Sequence, residues 1–187
     1  MEQLLNLHDL LQHEVDDLYS AEEQIIDALP KMIEKAANPR LKAALTDHLA
    51  VTRKQKDRLE KVKKILSDGT EKKEPGFLER IFGSTKCKGT EGLIKEGEHI
   101  MKQEMAPEVK DAAIIAAAQK IEHYEICGYG TARAFAMQLG LSEVEHLLTE
   151  TLNEEYEADD NLSELAFFDV NLDAEGGGTI THKRRSH

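Results

Sequence analysis

Four long stretches of the chain carry apolar residues at the three-and-four spacing of a helix face, and in each the run is broken by polar residues near its middle. The first, from about Gln3 to Ala37, reads Leu4, Leu7, Leu11, Val15, Leu18, then Glu22, then Ile25, Leu29, Met32 and Ala36. Glu23 falls off this face and reads as a solvated charge. Asn38-Pro39 marks a turn, with Pro39 suited to open the next helix. That helix, about Pro39 to Leu66, reads Leu41, Leu45, His48, Thr52, Gln55, Leu59, Val62 and Leu66. The third, about Val109 to Leu139, reads Ile114, Ala118, Ile121, Glu125, Gly128, Ala132, Phe135 and Leu139, with Glu122 one turn before Glu125. Leu139-Gly140 is a natural stop. Ser142 then reads as an N-cap, with Glu145 completing a capping box. The fourth helix, about Glu143 to Leu172, reads Val144, Leu148, Leu152, Glu155, Asp159, Leu162 and Ala166.

Between the second and third helices the period is lost. Residues 67–107 are punctuated by Gly69, Pro75, Gly76, Gly83 and Gly89, and a short helix is expected from Thr90 to Met105. This length suits a crossover running along a bundle rather than a hairpin loop. Phe77, Leu78, Ile81 and Phe82 read either as a small apolar plug or as a contact for another subunit. The expected organisation is all-α: one four-helix domain over residues 1–172, followed by a disordered tail, 173–187, containing Gly176-Gly177-Gly178 and His182-Lys183-Arg184-Arg185.

Composition supports the helical reading, with aromatic residues at 5%, no Trp and only four prolines. A formal net charge of −12 argues against nucleic acid as a partner, because phosphate binding needs a basic face. No apolar run approaches the ~20 residues that cross a bilayer. Cys87 and Cys127 form no metal knuckle, suit a reducing compartment, and read as plain thiols. A cytoplasmic protein is the simplest expectation.

A carboxylate on a helix's buried face is costly unless it is paired or ligates a cation, and no Lys or Arg lies on the buried stripe of the third helix. Counted from the turns at Asn38-Pro39 and Gly140-Leu141, Glu22 and Gln55 lie about sixteen residues away, and Glu125 and Glu155 about fifteen. At ~1.5 Å per residue all four reach one height, about 23 Å from either turn. Glu122, Asp159 and Thr52 form a second layer one turn away, and His48 sits roughly 6 Å beyond it. Converging glutamates with a histidine are the ligands of a dinuclear iron or manganese site. The plainer alternative is a protonated or water-filled polar network that fixes helix register.

Several strings strengthen the metal reading: Asp17-Leu18-Tyr19-Ser20-Ala21-Glu22, His48 followed by Thr52 and Arg58-Leu59-Glu60, Gln119 through Gly130, and Thr151-Leu152-Asn153-Glu154-Glu155. Together they make the chain, to about Asp173, resemble the YciE/YciF-type ferritin-like family of bacterial stress proteins. The resemblance implies a ferritin-like antiparallel four-helix bundle, a homodimer, and a metal centre with Glu22, Glu122, Glu125 and Glu155 as ligands, the pair Glu122 and Glu125 arranged as in rubrerythrin. With His48 and Asp159 from the layer argument, the candidate metal ligands are six. The chain departs from the ferritin-like pattern at two places. Leu45 stands three before His48 and Ala158 three after Glu155, where Glu-x-x-His pairs are usual, and no Cys-x-x-Cys rubredoxin module is present. Tyr19, Tyr124 and Tyr129 lie near the layer as hydrogen-bond or electron donors, or as packing residues. Two rival functions stay open: a helical interaction protein with a decayed metal site, and an iron-storing cage.

Overall fold

The computed structural model describes residues 4–68 and 86–176. Helix α1 spans Leu7–Lys35, α2 Pro39–Asp68, α3 Lys88–Met101, α4 Pro107–Gln138 and α5 Ser142–Leu165; a π-helical turn, Ala166–Val170, leads into the short α6, Asn171–Glu175. Among the described residues there is no strand. The apolar plug at Phe77–Phe82 and the tail from residue 177 onward lie outside the described residues.

The helix ends follow local chemistry. Asn6 caps α1 by accepting from the Asp9 N–H at 2.9 Å, so the helix begins at Leu7 rather than at Gln3. Pro30 is held inside α1 without ending it. At the α1–α2 turn the Asn38 side chain accepts from the Arg40 and Leu41 N–H groups. Asp111 of α4 binds that turn from across the core, accepting from the Ala37 and Asn38 N–H groups at 2.7 and 2.8 Å. The expected capping box at Ser142 is not formed. Gly140 has φ +70°, and the Leu141 N–H bonds back to the Ala136 carbonyl at 2.9 Å, closing α4 with a Schellman motif. Leu141 therefore takes the cap position, and Ser142 is already helical. The fourth stretch also ends differently from expectation: the π turn keeps Val170 in the core while Phe167 and Phe168 face outward.

Helices α1 and α2 pack along each other, as do α4 and α5, and the pairs meet through α1 with α4 and α2 with α5. Helix α3 lies against α4 and α1. The enclosed core falls into two apolar halves. One gathers Ile25, Leu29, Leu41, Leu45, Ile114, Ile121 and Leu162, and the other Leu11, Leu18, Leu59, Val62, Tyr129, Ala132 and Leu148. On every long helix the residues between these halves are the polar interruptions: Glu22, Thr52 and Gln55, Glu122 and Glu125, and Glu155, all buried. On α4 the buried row passes through Tyr129 and Ala136, where periodicity alone put Gly128 and Phe135. Gly128 instead faces Leu18, whose Cδ2 would stand 2.8 Å from an added Cβ, so its place is a close approach of α1 and α4.

The start of α3 is pinned to two long helices. Cys87 is buried, its N–H donates to Ser20 Oγ at 2.9 Å, and its Sγ lies 3.0 Å from both Asp17 Oδ2 and Tyr124 Oη. Tyr124 donates to Asp17 at 2.7 Å. Cys127 is exposed.

Candidate metal centre

The polar belt draws its carboxylates from α1, α4 and α5 and its histidine from α2, and these side chains meet. Glu22 of α1, Glu125 of α4 and Glu155 of α5 each bring an oxygen within 4.8 Å of the others. His48 of α2, Glu122 of α4 and again Glu155 make a second triple on the same criterion. Glu155 is common to both, so the two triples form one centre. Equal distances from the turns account for the first triple, whereas Glu122 and His48 start from the levels beyond it and meet Glu155 through their side chains. His48 also joins it: Nε2 lies 3.3 Å from Glu122 Oε1, although without the alignment of a hydrogen bond. Asp159 is not gathered in. Its carboxylate is taken by Gln119 Nε2 at 3.0 Å and His123 Nε2 at 3.3 Å, both on α4, and it reaches the centre only as a charge that raises the Glu122 pKa.

Ordinary protein partners do not account for this centre. Glu22 Oε2, Glu122 Oε2, Glu125 Oε1, both Glu155 oxygens and His48 Nε2 are buried and have no hydrogen-bond partner. Buried polar atoms are paired in the great majority of cases, so this many in one place calls for something that accepts lone pairs. Burial is the main cause that pushes the Glu22, Glu125 and Glu155 carboxyls well above their ordinary range, and the neighbouring glutamates push them further. Burial also pushes Glu122 up to about 8, against a contact with Glu155 that lowers it. Burial lowers His48 to about 4, so its imidazole is neutral at physiological pH and its Nε2 is available as a ligand.

Three further residues frame the centre. Tyr129, fully buried, donates a hydrogen bond to Glu22 Oε1. Gln55 is buried with neither amide atom partnered, and it offers an additional oxygen. The sequence placed it in the layer, but a neutral amide carried no charge signal to mark it as a ligand. Arg58 is the cation whose charge lowers Glu22 and Glu155, yet its guanidinium is committed elsewhere, to Thr151, Glu150 and Glu154 at 2.6–3.1 Å. Its place one position before Leu59 on the buried side of α2 was the available signal. Tyr19 and Tyr124 turn away, to Glu60 and Asp17. A groove of about 610 Å³ between α2 and α5 reaches the centre at His48 and Glu122.

The sequence profile of a family described as "Domain of unknown function (DUF892)" matches residues 6–175. The chain belongs to this family. Protein YciF of Escherichia coli K12 is 40% identical over 169 residues, covering 90% of this chain and 95% of that protein. The crystal structure of YciF, described as an E. coli stress protein, superposes on this chain with a TM-score of 0.78 at 39% identity, over 90% of this chain and 99% of the other. YcfI of Rhodopseudomonas palustris, provisionally described as a structural protein, aligns with a TM-score of 0.76 at 42% identity, over 86% and 95% of the two chains. The YciF-type resemblance noted from the sequence therefore holds over nearly the whole chain. No described helix is long and apolar enough to cross a membrane.

Proposed function

We propose that this DUF892 chain is a ferritin-like four-helix metalloprotein that holds two divalent ions, iron or manganese, in the acidic belt. The observation that carries the reading is the charge and pairing balance of the two triples. Four buried carboxylates and one neutral imidazole leave six atoms without partners, and two divalent cations would neutralise the four carboxylates and occupy those lone pairs. Glu22, Glu125 and Glu155 would hold one ion, and His48, Glu122 and Glu155 the other. Asp159, already bonded to Gln119 and His123, would act on the centre only through its charge. Bound iron or manganese would supply redox chemistry toward oxygen or peroxide, which fits a stress role of the kind YciF is described with.

The chain's own residues would do the rest. Tyr129 orients Glu22 through its hydroxyl and keeps one oxygen of that carboxylate turned toward Glu125 and Glu155. The two apolar halves of the core exclude water from both ends of the belt. Arg58, fixed by Glu150 and Glu154, offsets part of the negative charge without competing as a partner. The test is metal analysis after chelation and reloading with iron(II) or manganese(II). About two ions per chain are expected; retention of neither metal would sink the reading.

A second reading, a helical interaction protein with a decayed metal site, draws on the description of YcfI and on Leu45 and Ala158 at positions where ferritin-like helices usually carry ligands. It predicts that the melting temperature is the same with and without metal.

A further inference from the structure

The two triples differ in their access to solvent. Glu22, Glu125 and Glu155 are each at most 1% exposed, and none of them lines the groove between α2 and α5. His48 and Glu122 both line it, and Glu122 does so with only 2% of its surface exposed and with Oε2 unpartnered. The groove stays open because its walls are small where it meets the centre: Ala44 on α2 and Ala158 on α5, one turn beyond Glu155. Its outer lining is acidic. Asp47, Glu157 and Glu164 line it, with Glu154 paired to Arg58, and the one arginine in the lining, Arg40, is held by Asp169 at 3.2 Å. Acidic residues along a low-dielectric cleft focus the field and concentrate cations at its floor.

We propose that this groove is the route by which hydrated divalent cations reach the centre, and that the position at His48, Glu122 and Glu155 exchanges its ion with solvent while the position at Glu22, Glu125 and Glu155 keeps its ion locked. The inference rests on the metal-centre reading and adds a direction of filling and an asymmetry to it. The ion nearer the groove has water on one side and a path lined with negative charge. The inner ion would lie on the side of Tyr129 and the apolar half of the core that holds Leu18, away from the groove. The Ala158 position, which departs from the usual ligand pattern, thereby becomes the open side of the outer ion.

Release of manganese(II) to excess chelator tests this, followed through the spin-resonance signal of the metal. Loaded wild-type protein should release its ions in two phases, about one ion per chain in each. Ala158→Phe fills the inner end of the groove and should slow the faster phase at least about tenfold while leaving the slower phase and the final stoichiometry unchanged. The double variant Glu157→Lys/Glu164→Lys, altered only at exposed positions, should slow uptake by about tenfold at low ionic strength, with the difference closing at high salt. A single release phase, or a faster phase untouched in a folded Ala158→Phe protein, overturns the proposal. If Ala158→Phe does not fold, unchanged uptake in the double variant overturns it instead. Failure to bind any manganese would remove the metal centre itself, whereas two bound ions that ignore the groove would remove only the route.

Discussion

Raising the pH of the metal-free protein from 6.5, the ordinary value of a histidine, to about 8 should destabilise it. Burial pushes Glu122 up to about 8 in the folded chain, whereas the same carboxyl has an ordinary value of 4.5 when unfolded. Across this window the folded state keeps a proton that the unfolded state has already released, so stability falls as pH rises. The favourable share is intact below about 4.5 and lost by about 8. His48 works in the opposite direction, but only below 6.5, because its folded value of about 4 lies under its unfolded one. Starting at 6.5 therefore isolates the carboxylates. At about 1.4 kcal/mol per unit, Glu122 alone costs about 2 kcal/mol over roughly 1.5 units. Glu22, Glu125 and Glu155 are raised by the same causes and add in the same direction. For a chain of this size 2 kcal/mol lowers Tm by about 4–8 °C. With manganese(II) present the sign should reverse, because cation binding displaces the protons and strengthens with pH. Thermal melting by circular dichroism across this range, with and without metal, is the assay. A metal-free Tm that stays level or rises, or equal slopes in the two series, would refute the reasoning.

Glu125→Gln needs no proton at its buried site and should stabilise the metal-free protein at about pH 8 by about 1–3 kcal/mol, read by urea unfolding, while cutting bound manganese from about two ions per chain to about one. Asp111→Ala leaves the Ala37 and Asn38 N–H groups without their acceptor and should cost about 3 kcal/mol, seen as a fall in Tm of about 6–12 °C. Gly89→Ala would bring a methyl group to 2.6 Å from the Tyr124 ring, whose hydroxyl Asp17 holds, and should cost about 1–3 kcal/mol. The same substitution in a Tyr124→Leu background should cost less, and an equal loss in both backgrounds would show that the ring is not what resists the methyl group.

Much of the helical layout is present in the order of residues, because a helix's buried face repeats every 3.6 positions and an acid on that face breaks the pattern visibly. Glu22, Glu122, Glu125 and Glu155 could be picked out this way, and their distances from the two turns placed Glu22, Glu125 and Glu155 at one level and Glu122 one turn from it. Asp159 met the same test and is still not gathered in, since Gln119 and His123 on the neighbouring helix offer it partners that no period reveals. The capping box at Ser142 was lost to a competing motif, the Schellman closure of α4 by Gly140 and Leu141.

The sequence by itself determined where the long helices run and most of their inward positions, because both are set by local geometry over a few turns, though not the shift of the α4 row to Tyr129 and Ala136. Only the tertiary structure decided that Glu155 serves both triples, that His48 reaches Glu122, and that a groove opens on one triple and not the other. Those outcomes depend on how far apart neighbouring helices sit and at what angle they cross, and these quantities are fixed by side chains distant in sequence packing against one another.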